Sequence, residues 1–354
     1  MLFLLGITGI SSFIYFLGKN QYNKRIKHVS VIFIVLLFSI IAGMRSNIGD
    51  TSSYIAGYAN YSGSLFTNLQ SNALFYYIFY ELAGFIWDNS QVIILSTSFI
   101  IYPFIIWRFY RQSDDFIMTL VLFVFSNAFV NSMNGIRQYL VAAIIFFFYP
   151  KIIKEKSHKW ILLILFLTMF HSSVLMMIPV IYFSKQDLWS SRGILFFAFV
   201  ALIFMIFGKI MPNIFETIEN TKYSVYQYDS YGTTGVNIFR ILFTLIPVSL
   251  AFFFRNSKKM KSTEIIFLSN MTIFNFIFML FGYYGAVYAR FCLYFELYPL
   301  ILIPKICNIG FKNNGTRNVI KVIIYIIYFL FLYYQIQISW SGLTYKSNIL
   351  GITI

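Results

Sequence analysis

Residues 31–42 read VIFIVLLFSIIA, and directly after Gly43 comes Met44-Arg45-Ser46-Asn47-Ile48-Gly49-Asp50-Thr51-Ser52-Ser53-Tyr54. The first stretch is almost unbroken apolar sequence. The second concentrates an arginine, an aspartate and several hydroxyls at its mouth. A lone apolar helix could belong to a soluble core, but the rest of the chain has the same texture. Of its residues 59% are hydrophobic and only 11% charged, and the mean hydropathy is +0.74. Soluble domains carry roughly 25% charged residues, so the composition excludes an ordinary globular enzyme and points to a polytopic membrane protein.

A helical span needs about 20 apolar residues. Stretches of this kind recur at Leu2–Phe16, His28–Met44, Ala73–Trp87, Val92–Trp107, Phe116–Val130, Gln138–Tyr149, Trp160–Phe183, Gly193–Ile210, Val236–Phe254, Ile265–Tyr284, Phe291–Ile306 and Val319–Ser339. The fold class is therefore an all-α integral membrane bundle of about 10–12 transmembrane helices. Continuous rather than alternating hydrophobicity argues against a membrane barrel. No repeat, linker or soluble domain stands out, so residues 1–354 read as one integral domain.

The net charge of +15 would suggest nucleic acid in a soluble protein. Here the basic residues gather in short loops at Lys19–Lys27, Lys151–Lys159, Arg255–Lys261 and Lys305–Lys321, which is the positive-inside pattern beside an anionic leaflet. No nucleic-acid partner is implied. The connections at 45–70 and 211–235 are rich in Tyr, Ser, Thr and Asn and poor in Lys and Arg, and read as external. The first apolar run lacks a basic n-region and a small-residue cleavage site, so it reads as a retained span. Cys292 and Cys307 lie in or beside one apolar run and read as free thiols.

Counting crossings exposes a conflict. If 45–70 is outside and Arg108–Asp115 inside, the two apolar segments between them cannot both cross. The same failure arises between the basic loops at Lys151–Lys159 and Arg255–Lys261 if 211–235 is external. Either some loops depart from the positive-inside rule, or one segment in each region is re-entrant or interfacial; broken helices lining a polar cavity would produce that pattern. The first conflict adjoins the Arg45–Tyr54 cluster; the second involves the span that holds His171.

Ionisable groups in or beside spans are expensive, and each is a functional candidate weighed against a structural role. Arg137 lies in Asn131-Ser132-Met133-Asn134-Gly135-Ile136-Arg137-Gln138, a polar break on the external side by parity. It reads either as an interfacial arginine whose stem lies along apolar surface or as a fork that grips a phosphate. His171, in Thr168-Met169-Phe170-His171-Ser172-Ser173, falls near the middle of an apolar run, while His28 and His158 sit in basic loops. An imidazole there is either a hydrogen-bonded filler or an acid/base near neutral pH. Arg290 opens Arg290-Phe291-Cys292-Leu293-Tyr294-Phe295-Glu296 behind Tyr283, Tyr284 and Tyr288, as an interfacial anchor or a ligand arginine. Glu81 and Arg240 are weaker candidates. There is no P-loop, H-E-x-x-H, C-x-x-C or G-x-S-x-G, and no D-x-D of the kind that holds a nucleotide-sugar through a metal. No metal site and no cofactor is implied. Arginines, an aspartate and a histidine facing an external cavity suit an anionic, lipid-linked substrate whose leaving group is already activated.

At these residues the chain resembles the Wzy/EpsG-type polymerases of bacterial surface polysaccharides. The likeness lies in R-x-x-x-G-D-x-x-x-Y at Arg45, Gly49, Asp50 and Tyr54; in Ile136-Arg137-Gln138-Tyr139-Leu140-Val141-Ala142, similar to I-R-Q-x-L-A; and in Phe170-His171-Ser172-Ser173-Val174-Leu175, similar to F-H-x-S-x-L, followed by a late arginine-bearing span at Arg290. The resemblance implies a multi-pass protein of the bacterial inner membrane and a metal-independent, inverting glycosyltransferase. Such an enzyme moves a growing glycan from undecaprenyl diphosphate to the terminal sugar of a lipid-linked repeat unit, so both donor and acceptor are lipid-linked oligosaccharides. A flippase and a chain-length regulator would be its partners. It further implies His171 and Asp50 as catalytic candidates, Arg45, Arg137 and Arg290 as diphosphate ligands, and Tyr54 as a sugar-stacking aromatic. An O-antigen ligase, a flippase or other transporter, and a membrane acyltransferase remain as alternatives.

Overall fold

The computed structural model describes residues 1–19, 24–59, 73–187, 190, 193, 195, 196, 198–206, 235–339 and 342–354. Within them the chain is helical apart from one short hairpin near its C-terminal end, in agreement with an all-α, multi-pass membrane bundle. It divides into two compact units, Met1–Ile178 with Phe311–Ile354, and Pro179–Gly310. The external connections read at 45–70 and 211–235 are described only over 45–59 and at Gly235.

Five described helices are long and apolar enough to cross a bilayer: Arg25–Gly43, Gln91–Gln112, Ile136–Lys154, Thr263–Phe281 and Asn314–Ser339. A sixth crossing is made if the pair Ala286–Tyr294 and Tyr298–Gly310, bent by 61°, counts as one span. The number is below the dozen apolar runs because several runs are short or broken. Phe116–Phe125 stops at Ser126, Asn127 takes a left-handed φ of 68°, and Ala128–Ser132 resumes. Asparagine is among the few residues that accept that geometry cheaply. The run at 160–183 is split into a helix at Trp160–Leu167, a break at Thr168–His171, a 3₁₀ turn at Ser172–Met176 and a helix at Met177–Ser184.

In the first unit the polar ends of the helices sort into two groups. At the start of Lys24–Gly43, Lys27 Nζ lies 5.8 Å from the Tyr15 ring centroid and 5.5 Å from that of Tyr110. Nearby in the chain, Asp115 caps Phe116–Phe125 by accepting from the Met118 N–H at 3.0 Å, and pairs with Lys321 at 2.6 Å. Lys27 and Lys321 belong to loops read as cytoplasmic. A helix of some 20 residues is roughly 30 Å long, so Arg45, beyond the C-terminal end of Lys24–Gly43, stands a membrane thickness away from Lys27. Gln91, at the start of Gln91–Gln112, donates to the carbonyls of Gly43 at 2.7 Å and Arg45 at 2.8 Å. Its helix therefore begins at the Arg45 end and returns Tyr110 to the Lys27 end.

This arrangement resolves the first crossing conflict. Between Arg45 and Gln91 the described chain holds only Thr51–Ala59 and a run of Ala73–Tyr76, π-helical Tyr77–Leu82 and Ala83–Ile86. Neither is long enough to cross. The Ala73–Trp87 stretch is thus an apolar element at the Arg45 end rather than a span.

Beneath that end lies an aromatic core. Phe38 meets Phe129 edge-on at 4.9 Å, Phe123 is 5.8 Å from both rings, and the Tyr102 hydroxyl shares a 2.7 Å hydrogen bond with Ser132. These rings fix the Ala128–Ser132 helix, and with it the carbonyl of Met133 used below.

In the second unit, Phe295, at the bend of the 61° pair, stacks on Phe278 at 5.4 Å and Phe274 at 6.1 Å. The Cys292 thiol donates to the Asn275 carbonyl at 3.3 Å. Cys292 and Cys307 are both buried and neither is in a disulfide. Asp187, Arg255 and Lys261 line a polar pocket of about 160 Å³.

Candidate functional site

The site grows from the loop between the helices Lys24–Gly43 and Thr51–Ala59. Helix ends leave carbonyls without intrahelical donors, and here one side chain serves two of them. Arg45 is 2% exposed. Its Nη2 donates to the Met133 carbonyl at 2.8 Å, its Nη1 to the Ala42 carbonyl, and its Nε to Thr51 Oγ1 at 2.9 Å. Ala42 is in the last turn of its helix and Met133 caps the end of Ala128–Ser132, so the cation sits where two negative helix termini converge. Burial lowers its pKa to about 10, against which Tyr102, Tyr345, Tyr54 and Asp50 pull upward; the group stays charged at neutral pH. Arg45 is enclosed and braces three segments of chain.

Asp50 also acts on the backbone. Its Oδ2 accepts from the Gly135 N–H at 3.1 Å. Gly135 is the left-handed N-cap residue of Ile136–Lys154, with φ 67°, so the carboxylate lies at the positive end of the helix that carries Arg137. Contact between the two loops is close. Gly49 has φ +58°, and a Cβ built there would fall 2.7 Å from Asn134 Cβ and 2.8 Å from its Cα. Only glycine satisfies both the backbone angle and the space.

One turn into its helix, the buried Tyr54 accepts through its hydroxyl from Arg137 Nε at 3.3 Å. Its carbonyl accepts from the Tyr80 hydroxyl at 3.2 Å. Burial pushes the Tyr54 phenol up, opposed by the neighbouring Arg137. The Arg137 guanidinium lies 6.0 Å from the Phe75 ring centroid, and Phe75 packs on Tyr54 at 5.9 Å. A half-buried arginine held between a phenol and a ring keeps a fixed plane, which suits bidentate recognition of phosphate oxygens.

His171 lies on another element of the first unit. It is the extended N-cap of the 3₁₀ turn Ser172–Met176, with φ −157° and ψ 110°, and that turn packs against Ile136–Lys154. Its N–H donates to the Leu167 carbonyl at 3.1 Å and its carbonyl accepts from Val174 at 3.2 Å. The residue is half-buried and its Nδ1 is inside the protein. Arg290 belongs to the second unit, where it is exposed at the start of the 3₁₀ segment Arg290–Tyr294. Hydrogen bonds thus join Arg45, Asp50, Tyr54 and Arg137 into one layer, while His171 heads a turn that packs on the helix Ile136–Lys154. Among the described residues no cluster of three or more His, Cys, Asp or Glu is placed to hold a metal ion.

Sequence reasoning missed Thr51 and Gln91, which complete the loop's hydrogen bonding, and Asn47, which binds the C-terminal segment: its Nδ2 donates to the Thr344 carbonyl at 2.8 Å. Each is an ordinary polar residue at a helix end. Only the carbonyls they meet, 46 to 297 residues away for Gln91 and Asn47, mark them out.

A family model described as the EpsG family matches residues 28–347. The chain belongs to the EpsG family. No curated protein and no solved structure matches it. The matched region of this EpsG-family protein contains Arg45, Asp50, Tyr54, Arg137, His171 and Arg290. Membership supports a polysaccharide polymerase-type role for a multi-pass membrane protein.

Proposed function

We propose that the protein is a glycosyltransferase that lengthens a surface polysaccharide by moving the growing glycan from undecaprenyl diphosphate to the terminal sugar of a lipid-linked repeat unit. The observation that carries this reading is the fixed guanidinium of Arg137, bonded to Tyr54 and set at the start of a helix whose first N–H is held by Asp50. Such a group can take a diphosphate oxygen pair and stabilise the charge that develops on it.

In the proposed step the acceptor hydroxyl oxygen attacks the anomeric carbon of the donor glycan. The bond from that carbon to the phosphate oxygen breaks with inversion, and its electron pair leaves on undecaprenyl diphosphate. Arg137 carries that charge, an effect strongest in a site shielded from water. His171 takes the hydroxyl proton as general base. Asp50 and Arg45 hold the backbone on which Arg137 and Tyr54 stand, and Tyr54 faces the sugar with its ring. The diphosphate is already an activated leaving group, so the step needs no nucleotide and no added electrophile. The reaction takes place on the external face of the bacterial inner membrane, opposite the Lys27 and Lys321 end, with a flippase supplying repeat units and a chain-length regulator setting the product.

Deleting the gene and resolving surface glycans on a gel tests the reading. A polymerase mutant retains acceptors capped by a single repeat unit and lacks the ladder. Complete loss of capped acceptor would instead assign the protein to ligation or flipping.

A further inference from the structure

The loop that carries Asp50 is held from outside the motif, by the C-terminal segment. Lys346–Ser347 and Ile352–Thr353 form a two-stranded antiparallel hairpin, with Lys346 opposite Thr353. On the other edge of the first strand lies the Arg45–Asp50 loop. The Ser46 N–H donates to the Lys346 carbonyl at 2.8 Å, as in a sheet ladder, and Ser46 Oγ reaches the same carbonyl at 3.0 Å. Asn47 continues the pairing with its side chain: Nδ2 donates to the Thr344 carbonyl at 2.8 Å and Oδ1 accepts from the Lys346 N–H at 2.9 Å. A primary amide that donates and accepts in this way reproduces the two bonds that a facing peptide would make. Ser46 and Asn47 therefore serve as a third, two-residue strand.

Tyr345 anchors the hairpin. It is 2% exposed, its ring stacks on Phe3 at 4.4 Å, and its hydroxyl donates to the Ile41 carbonyl at 2.9 Å in the last turn of the helix that precedes the loop. Its backbone closes the hairpin through reciprocal 2.8 Å bonds with Ile354. Ile48, 1% exposed, then turns inward, and Asp50 meets Gly135 two residues later. Hydrogen bonds from Thr344 and Lys346 to Asn47 and from Asp50 to Gly135 are thus separated by only two residues of chain, Ile48 and Gly49.

We infer that the segment Thr344–Ser347 is a strap that sets the geometry of the Asp50 loop, with Asn47 as its positioning residue. The role in synthesis rests on the proposed glycosyl transfer, whereas the holding of the loop does not. A free loop would sample many conformations, and tying one end to a strand and the other to the start of a helix removes most of them. Edge pairing is a general way for one segment to fix another through main-chain bonds.

The test uses the full-length protein in nanodiscs and in cells. Asn47→Ala removes both amide bonds, and Asn47→Asp keeps only the acceptor. Amide hydrogen exchange over residues 46–50 is expected to rise about tenfold in Asn47→Ala and to fall between that variant and wild type in Asn47→Asp. Ile349→Ala, at an exposed turn position, leaves it unchanged. In cells the glycan ladder shortens in the same order at equal protein level. Unchanged exchange at residues 46–50 in Asn47→Ala overturns the inference whatever happens to the ladder. A full ladder alongside tenfold faster exchange overturns the positioning role. A wild-type chain that makes no ladder defeats the proposed function, and the exchange measurement still decides whether the strap holds the loop.

Discussion

Asp50 Oδ2 accepts the Gly135 N–H at 3.1 Å, a bond between residues 85 positions apart that fastens the first motif to the helix of the second. A neutral amide can accept the same bond, so Asp50→Asn separates a positioning carboxylate from a general base. Asp50→Asn is expected to keep a ladder within about threefold of wild type, losing only the interaction of charge with the helix end, of order 0.3–1 kcal/mol. Asp50→Ala leaves the Gly135 N–H with no acceptor from this loop, at a cost of roughly 1–3 kcal/mol. It should shorten the ladder and lower the melting temperature together. A ladder abolished by Asp50→Asn at unchanged melting temperature would make Asp50 the base.

The same contact explains why Gly49 tolerates no side chain. At φ +58° an alanine is strained, and its Cβ would lie 2.7–2.8 Å from Asn134 Cβ, Cα and Oδ1, two of which cannot swing away. Strain at such a backbone position is worth about 1–3 kcal/mol, before the loop is displaced. Gly49→Ala is expected to lower thermal stability in detergent and to remove the ladder. Full-length glycan from a Gly49→Ala strain with wild-type melting would show that the two loops need not touch.

Arg45 and Arg137 share a residue type and differ in what they do. Arg45 spends Nε, Nη1 and Nη2 on protein oxygens at 2% exposure, and a lysine has neither the planar fork nor the reach for all three. Arg45→Lys should behave as a folding defect, with a loss of roughly 3–5 kcal/mol, the range for disrupting a buried charged network, and little protein in the membrane. Arg137→Lys keeps a charge at a half-buried site and should leave protein level normal while the ladder collapses to single repeats. Equal protein levels with equal ladder loss in the two variants would place both arginines on the substrate.

Much of this was legible in the sequence. The apolar runs and the Lys-rich loops gave the helical membrane class and set Lys27 and Lys321 at one end, where Lys321 meets Asp115 at 2.6 Å. The crossing conflict after Tyr54 pointed to a segment that does not cross, and Ala73–Ile86 is one. Helix breaks were harder to place, because Asn127 and Thr168–His171 interrupt runs whose hydropathy stays high on both sides; a single left-handed residue or a four-residue break costs little apolar character. The part of Arg45 was hidden for a different reason. A charged residue beside a span looks the same whether its donors meet a ligand or two helix ends, and the carbonyls of Ala42 and Met133 carry no side-chain signature. The strap lay furthest from reach, since Asn47 finds its partners 297 and 299 residues away through backbone groups.

His171 stands at a break in a run that could have been one continuous helix. The break ends one helix within apolar sequence and sets the half-buried imidazole at the head of the 3₁₀ turn Ser172–Met176, and on the proposed function that imidazole is the general base. If it removes the acceptor proton, His171→Ala should lower polymerisation by about 10²–10⁴-fold, the usual span for losing a general base, with normal protein level. His171→Gln retains hydrogen bonding and should be equally inactive, which a merely structural role would not predict. In single-turnover assays on purified lipid-linked repeat units, both variants should bind substrate normally and fail in the transfer step. Restoration of the ladder by His171→Gln would return the histidine to the fold and leave the base to be sought at Asp50.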